Sequence, residues 1–358
     1  MLDDILTPLG WDENWAAASA AHPHTIPARV CRADRDSCDV YAPTAEGLTT
    51  VTAAWGGALQ RAHRADPTVA PVTGDWVVTT APTPDRVVVD TVLPRRSAVV
   101  RAQVDGSSRG QVLAANADVA AVVEGLFPDP DPGRIERLLA LAWSSGARPV
   151  VVLTKADLVG DPLAIADDVA RIAPGADVIT TSATDGSGLA ELRSWLAEGA
   201  TIALLGASGV GKSTLLNALT GGELMRTRAL RADGKGRHTT VTRELHLIPG
   251  GGAILDTPGM RTIGLAGTGS LDDVFPEVED LAASCRFADC EHRTEPGCAV
   301  VAAIAAGDLP ERRLASYRKL VREAQHQAAR SDARLRAEMT QVWKQRQRDY
   351  RKAPNKKR

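Results

Sequence analysis

A multidomain α/β chain is predicted by three observations. Short β-rich runs broken by turn residues occupy positions 28–104, and strands alternate with amphipathic helices over 105–270. Three cysteines and a histidine then cluster within 271–325, ahead of an alanine-rich, basic tail at 326–358. We read these as an N-terminal OB-type β-barrel, a mostly parallel sheet with helices on both faces, and a C-terminal metal-binding domain with a helical basic tail. A chain of 358 residues is too long for one core of ordinary size, which agrees with several domains.

Residues 1–27 are mixed in composition and predict a poorly ordered extension. The stretches "ARVCRA", "CDVYA", "LTTVTAAW", "DWVVTT" and "DRVVVDTVL" supply five strands for the barrel. From Asn116, "DVAAVVEGL", "RPVVVLTKAD", "ADVITTSA" and "TIALLGA" read as strands. They alternate with the helices "GRIERLLALAWSSG", "LAIADDVARIA", "GLAELRSWLAEG" and "GKSTLLNALTGG". "TRELHLIP" and "GGAILDTPG" add two more strands. With 44% hydrophobic and 24% charged residues the composition is that of a soluble globular protein. No apolar run is long enough for a membrane span, and the first thirty residues do not resemble a secretory signal.

"GASGVGKST" matches the phosphate-loop pattern G-x-x-x-x-G-K-[ST] through Gly206, Gly211, Lys212 and Ser213. It follows an apolar strand and opens a helix, the context in which backbone N–H groups of Gly206, Ala207, Ser208, Gly209, Val210 and Gly211 converge on phosphates. The helix N-terminus through Ser213 and Thr214 adds positive potential. Lys212 is expected on the β- and γ-phosphates and the Ser213 hydroxyl on Mg²⁺. Downstream, "ILDTPG" ends an apolar strand in Asp-x-x-Gly, placing Asp256 near the Mg²⁺ and the Gly259 amide near a γ-phosphate. Between them "DGKGRHTTVTRE" has the Gly-rich, polar texture of a switch, with Thr239 or Thr240 as a further Mg²⁺ ligand. Position 260 is Met, where many GTPases carry the glutamine that orients the attacking water. Slow unassisted hydrolysis and dependence on a partner follow.

"TKAD" at 154–157 ends a buried strand. A carboxylate at Asp157 accepts from both N1–H and the 2-amino group of guanine, a pattern adenine lacks. The Lys155 stem can lie over the purine, and Thr154 stands where asparagine is commoner. Ser182 and Ala183 of "TSA" offer a backbone amide near guanine O6. An ordinary GTPase runs phosphate loop, switch threonine, Asp-x-x-Gly, base-reading Asp, then Ser-Ala. Here the base-reading pair comes first, so the same parts appear in rotated order. Circular permutation requires only joined termini and a new break at a surface loop.

"CRFADCEHRTEPGC" brings Cys285, Cys290, His292 and Cys298 into a C-x₄-C-x-H-x₅-C array, fitting one closed structural Zn²⁺ site. In the following helix Leu314, Tyr317, Leu320, Val321 and Ala324 share one face, with Arg313, Lys319 and Arg322 assigned to the opposite, phosphate-facing side. Net charge is −2 overall, but the segment 311–358 carries +11 and the rest −13, which points the tail at a polyanion.

The rotated "TKAD", "TSA", "GASGVGKST", "HTT" and "DTPG", the β-rich N-terminus and the Cys/His array together resemble the RsgA (YjeQ) family of ribosome small subunit-dependent GTPases. "GDWV", "VLPRRSAVVRA", "AANAD" and "GMRTIGL" agree with it, over roughly residues 28–325. The resemblance implies a cytoplasmic GTP hydrolase that binds the small ribosomal subunit and its rRNA late in maturation, with Zn²⁺ and Mg²⁺ as cofactors. It also implies that His238, just before the switch threonines, assists hydrolysis. A monomer is expected. The alternative is an RNA-binding module that holds GTP without turning it over. Family members often start with an arginine-rich extension, whereas this chain starts with Asp3, Asp4, Asp12 and Glu13.

Overall fold

The computed structural model describes residues 2–83, 86–101, 111–221, 243–257 and 270–331. Five strands, β1 (Ile26–Ala33), β2 (Ser37–Thr44), β3 (Gly47–Trp55), β4 (Trp76–Thr83) and β5 (Arg86–Val92), close into a barrel in the order β1-β2-β3-β5-β4. Alternate residues point inward, so Val30, Val40, Ala53, Trp55, Val77 and Val89 fill the interior. A helix, Gly57–Ala65, joins β3 to β4. Sequence reasoning missed it, because it starts on glycines and no side chain caps its N-terminus.

The N-terminal extension is folded, contrary to expectation. Helix Leu2–Leu6 and helix Glu13–Ala20 pack Leu6, Leu9, Trp11 and Trp15 against Trp76, Val78 and Leu93 on the barrel's outer side. The average composition of the segment hides these spaced apolar anchors. Its acids are put to local use: Asp12 caps the second helix by accepting from the Asn14 and Trp15 amides, and it pairs with Arg96 at 2.6 Å. Asp3 accepts from Trp11 Nε1 at 2.7 Å.

A ribbon of β6 (Ala98–Arg101) and β7 (Gln111–Ala115) connects the barrel to a six-stranded sheet. That sheet contains β8 (Val119–Gly125), β9 (Arg148–Thr154), β10 (Asp177–Thr180), β11 (Thr201–Leu205), β12 (Glu244–Leu247) and β13 (Ala253–Asp256) in the order β10-β9-β8-β11-β13-β12. All neighbours are parallel except β12, which runs antiparallel to β13 at the edge. Ala120 and Val122 face helices Pro132–Ser144 and Pro162–Ala170, while Val119, Ala121 and Val123 face helices Leu189–Ala197 and Lys212–Leu219. Two helical layers therefore sandwich the sheet, as the alternation predicted.

Barrel and sheet meet around Arg29, which is buried and donates to the carbonyls of Leu9, Gly74 and Asn116. Burial lowers its pKa to about 10, and it remains charged at neutral pH. Gly74 sits at φ +96°, where a Cβ would lie 2.1 Å from the Ala115 carbonyl oxygen, so only glycine fits this junction.

The C-terminal helices Leu271–Val274, Pro276–Ala282, Ala299–Ala306 and Glu311–Ser331 add Phe275, Val278, Leu314 and Leu320 to the same core as helix Pro132–Ser144. Leu314, Leu320 and Ala324 face inward as expected. Arg313 does not lie on the outer face. Its side chain is 3% exposed, bonded to Glu136 at 2.7 Å, Glu277 at 2.5 Å and the Val274 carbonyl at 2.8 Å. Helical periodicity placed it opposite the apolar stripe, but a second helix layer covers that side. Removing one member of a buried pair leaves the other charge without compensation. Arg313→Leu is therefore expected to destabilise the chain by about 3 kcal/mol in denaturant unfolding, more than Arg322→Leu on the exposed face. Equal losses would contradict this assignment.

Candidate functional site

The four sequence motifs converge at the C-terminal ends of the parallel strands. "GASGVGKST" follows β11, "TKAD" ends β9, "TSA" follows β10 and Asp256 ends β13. Adjacent strands in such a sheet open a crevice at that edge, where ligands bind. The rotated motif order along the chain thus becomes one contiguous site in space.

At the phosphate end, Gly209 and Gly211 have φ of +85° and +106°, and Gly211 caps helix Lys212–Leu219. A Cβ at Gly206 would lie 2.5 Å from the Val123 carbonyl oxygen, which keeps the loop pressed onto β8. Lys212 is buried, and its Nζ donates to the Gly206 and Ala207 carbonyls at 2.8 Å each. Burial lowers its pKa, and the charge of Asp256 at the end of β13 acts in the opposite direction. Ser213 and Thr214 lie exposed in the first helical turn.

At the base end, Asp157 is exposed within a single 3-10 turn, Ala156–Leu158. Lys155 adopts φ +63°, and its Nζ donates to the Phe127 carbonyl at 3.0 Å. Ser182 is buried and accepts from the Thr184 and Asp185 amides at 3.1 and 3.3 Å, forming the turn that carries Ala183. The Ala156 amide donates to the Thr181 carbonyl at 3.1 Å, tying the two base-end loops together.

Thr154 links the two ends. Its hydroxyl donates to the Val210 carbonyl of the phosphate loop and lies 3.3 Å from the Glu124 carbonyl. A Cβ at Gly211 would come within 2.9 Å of Thr154 Oγ1. Sequence reasoning grouped Thr154 with the base-binding residues and missed this brace, because the two positions are 56 residues apart. His238, Thr239, Thr240 and Gly259 lie outside the described residues.

Cys285, Cys290, His292 and Cys298 cluster with their ligand atoms all within 4.8 Å of one another. Cys285 Sγ and Cys298 Sγ are 3.8 Å apart, and His292 Nδ1 is 3.6 and 3.5 Å from them. Zn–S and Zn–N bonds of about 2.3 and 2.0 Å predict tetrahedral S···S and S···N edges of about 3.8 and 3.6 Å, so the donor set fits zinc. The Val301 amide donates to Cys298 Sγ at 3.4 Å, so this side chain also caps helix Ala299–Ala306. Burial, then the nearby Arg318 guanidinium, lowers the His292 pKa, the direction that suits ligation by an imidazole. Arg318 also donates to the His292 carbonyl, clasping the loop to the last helix.

The "TKAD" and "GASGVGKST" motifs in rotated order on this sheet define a circularly permuted GTPase fold, coupled to a closed barrel and a Cys₃His cluster. Solved structures of this kind match: YjeQ from Thermotoga maritima has a TM-score of 0.60 at 27% identity, covering 84% of this chain and 98% of that one. YloQ, described as a circularly permuted GTPase, has a TM-score of 0.58 at 25% identity, covering 85% and 96%. The pattern of the RsgA GTPase family matches residues 92–266. Relatives named small ribosomal subunit biogenesis GTPase RsgA are 50% identical in Streptomyces avermitilis and 51% in Streptomyces coelicolor. Each alignment covers 95% of this chain, with 91% and 92% of the respective relative. The chain belongs to the RsgA GTPase family.

Proposed function

We propose that this GTPase acts in biogenesis of the small ribosomal subunit, binding the subunit and its rRNA and hydrolysing GTP to GDP and phosphate when bound. The observation that carries this reading is the sheet order, which brings Lys212, Thr154, Asp157 and Asp256 to the C-terminal ends of neighbouring strands. The names of the relatives supply the ribosomal context. Lys212 and the amides of residues 206–211 hold the phosphates, and Ser213 and Thr214 extend that cradle. Asp157 selects guanine, Lys155 covers its face, and the Ser182–Ala183 turn meets its O6 edge. Thr154 acts beneath the base by fixing the height of the phosphate loop.

Bound Mg²⁺ supplies charge neutralisation on the phosphates, and Ser213 and Asp256, with Thr239 or Thr240, are the residues to hold it. Gly259 senses the γ-phosphate, and His238 orients water in place of the glutamine that Met260 replaces. Residues 28–104, 105–270 and 271–325 serve as barrel, GTPase and zinc units, with extensions 1–27 and 326–358. We take the protein to act as a cytoplasmic monomer. No helix among the described residues is long and apolar enough to cross a membrane.

The test is GTP turnover measured alone, with purified small subunits, and with large subunits. Stimulation by small subunits alone is the expected result. Tight GTP binding without turnover in any mixture would support a GTP-dependent RNA-binding module instead.

A further inference from the structure

β12 is the edge strand of the sheet, and an edge strand exposes alternate carbonyls along its open side. Two barrel hydroxyls reach that side. Tyr41 Oη donates to the Leu245 carbonyl at 3.2 Å, and Thr73 Oγ1 donates to the Arg243 carbonyl at 3.3 Å. The acceptors are two residues apart, the spacing at which strand carbonyls point the same way. Two other contacts hold the same strand and its turn. Leu247 packs against the cluster of Leu6, Leu9, Trp76 and Val78, and the Gly252 amide donates to the Pro8 carbonyl at 3.0 Å. The N-terminal third of the chain therefore holds β12 and the residues flanking it at four points.

β12 pairs with β13 in a register that sets Glu244 opposite Asp256. In sequence, Thr240 precedes Glu244 by only four positions. A slip of two residues, the smallest that preserves the alternation of faces, moves the chain ahead of β12 by about 6.8 Å along β13. A displacement of that size separates groups that must share one phosphate. A four-residue strand has few ladder bonds of its own with which to resist it.

We propose that Tyr41 and Thr73 are positioning residues for GTP hydrolysis, holding the register of β12 against β13 from the barrel. They touch neither nucleotide nor reacting atoms. This rests on the GTPase reading above, and it adds that the barrel sets the geometry of the catalytic edge. GDP binding is independent of it, because the phosphate loop and residues 154–157 and 181–183 end or follow β11, β9 and β10, not β12.

The full chain carrying Tyr41→Phe with Thr73→Val is compared with the parent by hydrogen exchange, GDP affinity and single-turnover hydrolysis at saturating GTP. Amides 244–247 exchange about ten-fold faster in the variant, and the hydrolysis rate falls by about ten-fold. GDP affinity stays at the parent value. Thr73→Ser keeps the hydroxyl and retains parental exchange and rate, whereas Thr73→Val alone does not, a contrast that remains readable if the double variant fails to fold. Unchanged exchange in β12, or Thr73→Ser behaving like Thr73→Val, overturns the proposal. So does a loss of GDP affinity in step with the hydrolysis rate. A parent that never hydrolyses GTP with small subunits overturns the enzymatic reading, while β12 exchange still decides the brace.

Discussion

Asp157→Asn lowers affinity for GTP by on the order of a hundred-fold and shifts preference to xanthosine triphosphate. Asp157 is exposed at the mouth of the base end, so its carboxylate is available to a base without rearrangement of the core. Guanine presents two adjacent donors, N1–H and the 2-amino group, and a carboxylate accepts from both. The amide of the variant turns one acceptor into a donor. Xanthine carries a carbonyl where guanine carries the amino group, which restores the pairing. The variant leaves Lys212 and Thr154 untouched, so the phosphate loop keeps its form, and competition among GTP, ATP and xanthosine triphosphate isolates the base effect. Unaltered preference would remove Asp157 from base recognition. Thr154→Ala gives the contrasting result of weaker binding to all three nucleotides, since its hydroxyl braces Val210 from beneath.

Zinc removal produces the second large effect. A structural zinc contributes on the order of 10 kcal/mol to the unit it organises. Residues 285–298 have little else to hold them: a few turn hydrogen bonds, the Glu295 carboxylate capping three amides, and the clasp from Arg318. Cys298 is both a member of the Cys₃His cluster and the buried cap of helix Ala299–Ala306, so Cys298→Ser is expected to disturb more than Cys290→Ser, whose thiol is only half-buried. Chelation abolishes small-subunit binding first and leaves GDP affinity near the parent value, because the crevice draws its residues from β9, β10, β11 and β13. Metal content, GDP affinity and subunit co-sedimentation measured on one preparation check the order of loss. Simultaneous loss of nucleotide and subunit binding would show that the zinc unit supports the GTPase core rather than serving beside it.

The motifs that meet at the sheet's C-terminal edge were legible along the chain because each is local in sequence. Gly211 and Lys212 are adjacent to the helix they open, "TKAD" terminates its own strand, and the Cys₃His cluster fits within fourteen residues. The rotated order was legible for the same reason, since each motif announces itself independently of its neighbours. Arg313 was misplaced because helical periodicity sees one partner surface, while this helix meets both Glu136 and Glu277. The N-terminal extension was misread because Leu6, Leu9, Trp11 and Trp15 belong to no repeating pattern, and only the outer face of the barrel gives them a common destination.

The fold class, the motifs at the sheet's C-terminal edge and the donor set for a metal were readable from residues close together in the chain. Tertiary structure alone decided how the units are joined. Thr154 meets Val210, Arg29 meets Leu9 and Asn116, and Tyr41 meets Leu245 only after strands distant in sequence have paired. A hydroxyl or a guanidinium has many carbonyls within its chemical repertoire. Which one it finds is set by sheet order and register, and those follow from burying the apolar faces of the whole chain at once.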